Sequence, residues 1–140
     1  MGVPCIVQVV GPTSSGKTTL IVRVVRRLSD TGVRVGVVKH THHDIDTPNK
    51  DSWKFLEEAG ARYSVVVKGD GEKVAVFTGG LTFSDVLGEL SPRVDVIVVE
   101  GFKHLSLGGL RVDLSTTGLS DAEASIIEFV EKCLAGGRRL

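Results

Sequence analysis

The chain has 140 residues, a length that suits one domain and permits a buried core. Lys and Arg total 17 and so do Asp and Glu, so no global field draws the chain to nucleic acid or to an anionic membrane surface. No apolar run approaches the ~20 residues of a membrane span, which argues against an integral membrane protein.

Val3 to Val10 is nearly all apolar and reads as a buried parallel strand. It runs into the next motif without a basic leader, so it is expected to be a strand and not a signal peptide. That motif is Gly11-Pro12-Thr13-Ser14-Ser15-Gly16-Lys17-Thr18, a match to the phosphate-binding P-loop pattern G-x-x-x-x-G-K-[ST]. Its glycines let the backbone curl so that successive N–H groups face phosphate oxygens. The helix that starts there adds the positive end of its dipole. Lys17 is of a length to reach the β- and γ-phosphates, and the Thr18 hydroxyl can ligate Mg²⁺.

From Gly16 to about Asp30, Leu20, Ile21, Val24, Val25 and Leu28 recur at helical spacing, with Arg23, Arg26 and Arg27 on the other face. Val33 to Val38 is a second, β-branched strand. A polar loop from Lys39 to about Lys50 follows, carrying Lys39-His40-Thr41-His42-His43-Asp44-Ile45-Asp46. A short helix with Trp53, Leu56 and Ala59 starts at Thr47-Pro48 or at Asp51 and stops at Gly60. Tyr63–Val67 and Lys73–Thr78 flank Gly69-Asp70-Gly71-Glu72, a hairpin signal, and this antiparallel pair is expected to make the sheet mixed. Thr82-Phe83-Ser84-Asp85 starts a helix in a capping-box pattern. Val94 to Val99 is a strongly apolar strand ending on Glu100, and Leu110 to Leu114 is a short last strand. Ser120-Asp121-Ala122-Glu123 is a second capping box, opening a helix whose Ile126, Ile127, Val130 and Leu134 face the core. Gly136-Gly137 ends it, with Arg138 and Arg139 as a frayed tail. Cys5 and Cys133 lie near opposite ends of the chain and read as buried thiols, not a disulfide, which suits a reducing, cytoplasmic setting.

Strands alternating with helices imply an α/β domain: a three-layer P-loop NTPase fold over residues 1–140, with a mostly parallel sheet, an antiparallel hairpin and helices on both faces. In such sheets ligands bind at the carboxyl ends of the strands. Three of those ends carry unusual chemistry: the P-loop, the Lys39–Asp46 block, and Glu100-Gly101-Phe102-Lys103. A carboxylate near Mg²⁺ belongs after an apolar strand beside the first one, and Glu100 fits by position, acting directly or through water. Asp95 sits at the wrong end of that strand and reads as a surface residue. Asp44 and Asp46 are the alternative carboxylates, on a loop long enough to move, and Asp46 reads equally well as a helix-start carboxylate. Adjacent His42 and His43 cannot easily face one ion, so one or two of His40, His42 and His43 are expected to contact phosphate or orient the loop. Lys39 and Lys103 read either as lining an anionic pocket or as surface ion pairs.

Three blocks together resemble one family: Gly11–Thr19; Lys39-His40-Thr41-His42-His43-Asp44 running on to Lys50-Asp51-Ser52 and Ala59-Gly60-Ala61; and Val99-Glu100-Gly101-Phe102-Lys103. Over roughly the first three quarters of its length the chain resembles the molybdopterin-guanine dinucleotide biosynthesis protein B (MobB) family. The resemblance implies a GTP-binding, Mg²⁺-dependent P-loop protein, usually a homodimer, with weak GTP hydrolysis. It implies an accessory role to the molybdenum cofactor guanylyltransferase, which attaches GMP to molybdopterin, and leaves molybdopterin as a candidate ligand. It places Gly11, Gly16, Lys17, Thr18 and Thr19 on phosphates and Mg²⁺, Asp44 and Glu100 near the metal and the attacking water, and Lys39, His40 and Lys103 at the same mouth. Within this frame Lys17, Asp44 and Glu100 are the catalytic candidates and Thr18, Asp44 and Glu100 the metal candidates. Pro12, Thr13, Ser14 and Ser15 complete the phosphate loop.

The chain departs from the family after Lys103, where the late strand and loop are abbreviated to Leu110–Leu114 and Ser115-Thr116-Thr117-Gly118. No N-K-x-D guanine signature follows a late strand, so the residues themselves speak for a purine nucleoside triphosphate and guanine enters through the resemblance. The alternative is a small P-loop kinase or other nucleotide-dependent phosphotransferase, which the lack of an arginine-bearing lid weakens. A metal carrier using the histidine block is a third reading.

Overall fold

The computed structural model describes residues 3–137; the expected frayed arginines, Arg138 and Arg139, lie outside them. In chain order the elements are β1 (Cys5–Val10), α1 (Lys17–Asp30), β2 (Val35–Lys39), α2 (Asp51–Trp53, continuing as a π-helical turn over Lys54–Glu58), β3 (Tyr63–Lys68), β4 (Lys73–Thr78), α3 (Phe83–Leu90), β5 (Val96–Glu100), β6 (Leu110–Asp113) and α4 (Leu119–Lys132, continuing as a π-helical turn over Cys133–Gly137). The chain divides into two compact units, Met1–His40 with Leu87–Leu140, and Thr41–Val86.

The first unit is built on a four-stranded, all-parallel sheet in the order β2-β5-β1-β6. Strands buried on both faces have no polar face to offer, which is why β1 and β5 read as apolar runs instead of alternating. Val7 and Val9 of β1, Val96 and Val98 of β5 and Val112 of β6 meet Leu20, Ile21, Val24 and Leu28 of α1 and Ala122, Ile126 and Val130 of α4 in one core. The other face carries Ile97 and Val99, both buried. There Gly36, opposite Ile97, leaves the space that Val94 and Leu90 approach: a Cβ at Gly36 would stand 3.3 Å from Val94 and 3.7 Å from Leu90. Helices thus cover both faces, as expected.

Two expectations for this unit change. Helix α4 starts at Leu119 with Gly118 as its N-cap and no side-chain cap, so the box at Ser120–Glu123 does not form. Leu119 joins the core and packs over Gly16, which draws the helix start forward of Ser120. Cys5 and Cys133 are bonded as a disulfide and are not free thiols. The end of α4 returns over the start of β1, bringing the two Cα atoms to 6.2 Å although 128 positions separate them. Asp95, at the start of β5, pairs with Arg34 at 3.0 Å, away from the carboxyl ends of the strands.

The second unit holds α2 and the β3–β4 hairpin. Helix α2 takes the later of its two expected starts, Asp51, because Lys50 N–H is turned back on Thr47 O (3.3 Å). The hairpin pairs antiparallel from Tyr63↔Thr78 to Lys68↔Lys73, but as a two-stranded sheet of its own, which corrects the expected mixed sheet. Gly71 N–H and Glu72 N–H both donate to Lys68 O, at 3.2 and 3.0 Å, so the hairpin closes locally without a third strand. Its Tyr63, Val65 and Val67 and the facing Val74 and Val76 stay about half exposed. At the head of α3 the capping box forms as expected: Asp85 N–H donates to Thr82 Oγ1 and Thr82 N–H to Asp85 Oδ2, each at 3.0 Å. Thr82→Ala is expected to cost about 1 kcal/mol in a urea-unfolding titration, the usual worth of such a cap; an unchanged midpoint would show the box idle.

Candidate functional site

Strand β1 delivers Gly11 to the carboxyl edge of the sheet, and the chain curls before α1 begins. Ser14 has φ 63° and Gly16 φ 100°, the left-handed region that favours glycine, and Gly16 serves as the N-cap of α1 with its carbonyl accepting from Leu20 N–H at 2.9 Å. Space is short at both glycines as well: a Cβ at Gly16 would meet Leu119 at 3.3 Å, and one at Gly11 would meet Ser15 Oγ at 2.8 Å and Leu114 Cβ at 3.2 Å. The Lys17 ammonium is folded back over the loop, donating to Gly11 O at 2.6 Å and Pro12 O at 3.0 Å. Ser15 Oγ is buried with no hydrogen-bond partner in the described structure.

An open cavity of ≈ 490 Å³ adjoins the loop, lined by Thr13, Ser14, Gly16, Lys17, Thr18, Thr19, Lys39 and Glu100. Six of those eight residues belong to the expected phosphate loop. The other two arrive on the parallel register, which sets Lys39 of β2 opposite Glu100 of β5 and Glu100 opposite Val9 of β1. Lys39 Nζ and Glu100 Oε2 are 3.8 Å apart; the carboxylate side is only 13% exposed and the ammonium 64%. Lys39 therefore answers to both expected descriptions, ion pair and pocket wall. Gly11, Pro12 and Ser15 shape the loop without lining the cavity, and His40 and Lys103 are not among the lining residues.

The segment leaving β5 is tightly specified. Gly101 (φ 96°) and Phe102 (φ 53°) are both left-handed, uncommon for a bulky residue. Gly101 N–H donates to Val9 O at 3.0 Å, His40 N–H to Glu100 O at 2.9 Å, and the His40 and Phe102 rings stack with centroids 4.2 Å apart. His40 thus packs on the Glu100–Phe102 turn, a contact the sequence did not announce. Gln8, inside β1 and only 2% exposed, donates through Nε2 to Gly101 O at 3.0 Å and Phe102 O at 2.8 Å. Sequence reasoning passed over Gln8; its signal was a lone amide in an otherwise apolar strand. At the end of β6 the Asp113 carboxylate accepts from the Ser115 hydroxyl (2.7 Å) and amide (2.9 Å), and those two bonds hold its carboxyl below the usual carboxylate range.

Asp44, His42 and His43 belong to the second unit, and Asp44 is exposed there. Asp46 acts as a helix-start carboxylate, accepting from Thr47 N–H at 2.7 Å and Ser52 Oγ at 2.8 Å. Among the described residues no three His, Cys, Asp or Glu side chains are gathered to hold a metal ion, and no helix is long and apolar enough to cross a membrane.

The cradle suits a polyphosphate. A curled backbone, a helix start and an ammonium converge on one cavity. Thr18 and Glu100, both hard oxygen donors in that lining, suit Mg²⁺, which takes few protein ligands and keeps several waters.

The family model described as molybdopterin guanine dinucleotide synthesis protein B matches residues 6–130. The chain is 37% identical over 98 residues to the molybdopterin-guanine dinucleotide biosynthesis adapter protein of Escherichia coli (strain K12), covering 66% of this chain and 55% of that protein. It is 33% identical over 100 residues to the adapter protein of the same description from Haemophilus influenzae, covering 69% of this chain and 56% of that one. The chain thus spans just over half the length of these curated relatives. Among solved structures, that of Bacillus subtilis MobB is similar with a TM-score of 0.62 at 32% identity, covering 86% of this chain and 72% of that one. A MobB protein homolog from Bacillus stearothermophilus shares the fold with a TM-score of 0.65 at 23% identity, covering 91% and 98%.

Proposed function

The chain belongs to the MobB family, and from that premise we propose that it is a GTP-binding accessory protein in the assembly of molybdopterin guanine dinucleotide. The observation that carries this reading is the cavity in which the P-loop, the Thr18 hydroxyl and the Glu100 carboxylate converge. The loop amides and Lys17 bind the phosphates. Thr18 would hold Mg²⁺ directly and Glu100 through water, and the ion would neutralise phosphate charge and order the triphosphate tail. Glu100 orients the attacking water, and GTP hydrolysis is weak, as the resemblance to the family implies. The protein serves as the adapter of the guanylyltransferase that joins GMP to molybdopterin.

Competitive titration with GTP and ATP, with Mg²⁺ and with EDTA, tests the reading. GTP is expected to bind more tightly than ATP and more tightly with the metal; equal, metal-independent binding would contradict it. Thr18→Ala is expected to lower GTP affinity about tenfold in Mg²⁺ and to leave affinity in EDTA unchanged, as loss of a single metal ligand should. Loss in both media would instead assign the hydroxyl to phosphate.

The protein is further proposed to be a homodimer. The half-exposed apolar stripe of Tyr63, Val65, Val67, Val74 and Val76 supports pairing through the hairpin, since such a surface rarely stays in water. Light scattering at micromolar concentration is expected to report twice the chain mass; a monomer would refute this.

A further inference from the structure

We propose that Gln8 is a positioning residue, holding the turn after β5 so that Glu100 faces the P-loop cavity; the inference rests on the proposal that this cavity takes a nucleoside triphosphate.

A glutamine in the middle of a two-faced buried strand is costly unless its amide is bonded. Gln8 is 2% exposed, and its side-chain nitrogen reaches two consecutive carbonyls, Gly101 O and Phe102 O, at 3.0 and 2.8 Å. Consecutive carbonyls point to opposite sides of an extended chain. They can share one donor here because Gly101 and Phe102 are both left-handed, with φ 96° and 53°. The amide thus fixes a backbone shape that Phe102 would not adopt unaided. Glycine is required at 101 for a second reason, since a Cβ there would stand 3.0 Å from the Cβ of His40.

Glu100 lies immediately before this turn. Its carbonyl accepts from His40 N–H at 2.9 Å, and its carboxylate lines the cavity 3.8 Å from Lys39 Nζ. With its carbonyl tied to β2 and the following residue tied to Val9 O, the remaining freedom is the direction in which the chain leaves. Gln8 removes it. Gln8 itself lines no part of the cavity, so it acts through Glu100 and not on the nucleotide.

The test uses the full chain with Gln8→Leu, which keeps an apolar strand interior while deleting both donors. In nucleotide-free protein, hydrogen–deuterium exchange over residues 101–105 is expected to quicken while β1 and β5 stay protected. With GTP and Mg²⁺, single-turnover hydrolysis is expected to fall about tenfold, the low end of what an outer partner of a metal site contributes, with GTP affinity within about threefold of the parent. In a Glu100→Gln background Gln8→Leu should add little, because one residue acts through the other. Unchanged exchange, a loss of affinity matching the loss of rate, or a full additional loss in the Glu100→Gln background would each overturn the proposal. Should Gln8→Leu not fold, Gln8→Met, nearer in shape, carries the same comparison. If the parent protein neither binds nor hydrolyses GTP, the triphosphate reading has failed, and the exchange arm still decides whether Gln8 holds the turn.

Discussion

Lys17→Ala is expected to weaken GTP binding by at least about 2 kcal/mol, roughly thirtyfold, while leaving the fold intact. Without nucleotide the ammonium rests on two loop carbonyls, Gly11 O and Pro12 O. A triphosphate tail offers it full negative charge in their place, and the gain from carbonyl to phosphate is what alanine forfeits. Lys17 makes no contribution to the apolar core, whose α1 members are Leu20, Ile21, Val24, Val25 and Leu28. Its removal should therefore cost no more stability than a typical surface substitution, about 0.5 kcal/mol in a urea-unfolding titration. Isothermal titration of both proteins with GTP and Mg²⁺ checks the affinity, and equal affinities would remove Lys17 from the site.

Glu100→Gln should have its main effect on chemistry. Single-turnover GTP hydrolysis is expected to fall about 10- to 100-fold, with affinity within about threefold. The amide keeps the size of the carboxylate and loses its charge. That charge matters most when negative charge builds on the transferring phosphoryl group and the metal and water must be held in place. The substitution also breaks the pair with Lys39, but Lys39 is 64% exposed and hydrated, so the stability cost is small. A rate equal to the parent's would exclude Glu100 from hydrolysis; a loss confined to affinity would make it a binding residue alone.

What the sequence disclosed and what it concealed divides along a physical line. The curl of the P-loop was legible because its glycines answer a local need, standing where φ is positive and a neighbour is close. The placement of Glu100 was legible because an apolar run with a terminal carboxylate describes a buried strand ending at the carboxyl edge of the sheet, and the register sets it opposite Val9. The hairpin was legible from Asp70-Gly71 between alternating valines, but its failure to join the main sheet was not, since strand partners are chosen by three-dimensional packing. The two capping boxes make the same point. Thr82–Asp85 closes as its residues dictate, whereas the box at Ser120 yields to Leu119, whose burial against Gly16 outweighs one capping bond. The disulfide could not be read from two cysteines 128 positions apart, because only the return of α4 over β1 brings them together. Gln8 escaped notice because its partners are backbone atoms more than 90 positions away.

The most direct test is a crystal structure of the full chain grown with a non-hydrolysable GTP analogue and Mg²⁺. The triphosphate is expected within the curl of Gly11–Thr18, with Lys17 Nζ moved from the Gly11 and Pro12 carbonyls onto phosphate oxygens, and the ion between Thr18 and the phosphates with Glu100 facing it. Nucleotide bound elsewhere, with Lys17 still resting on its own loop, would contradict the account.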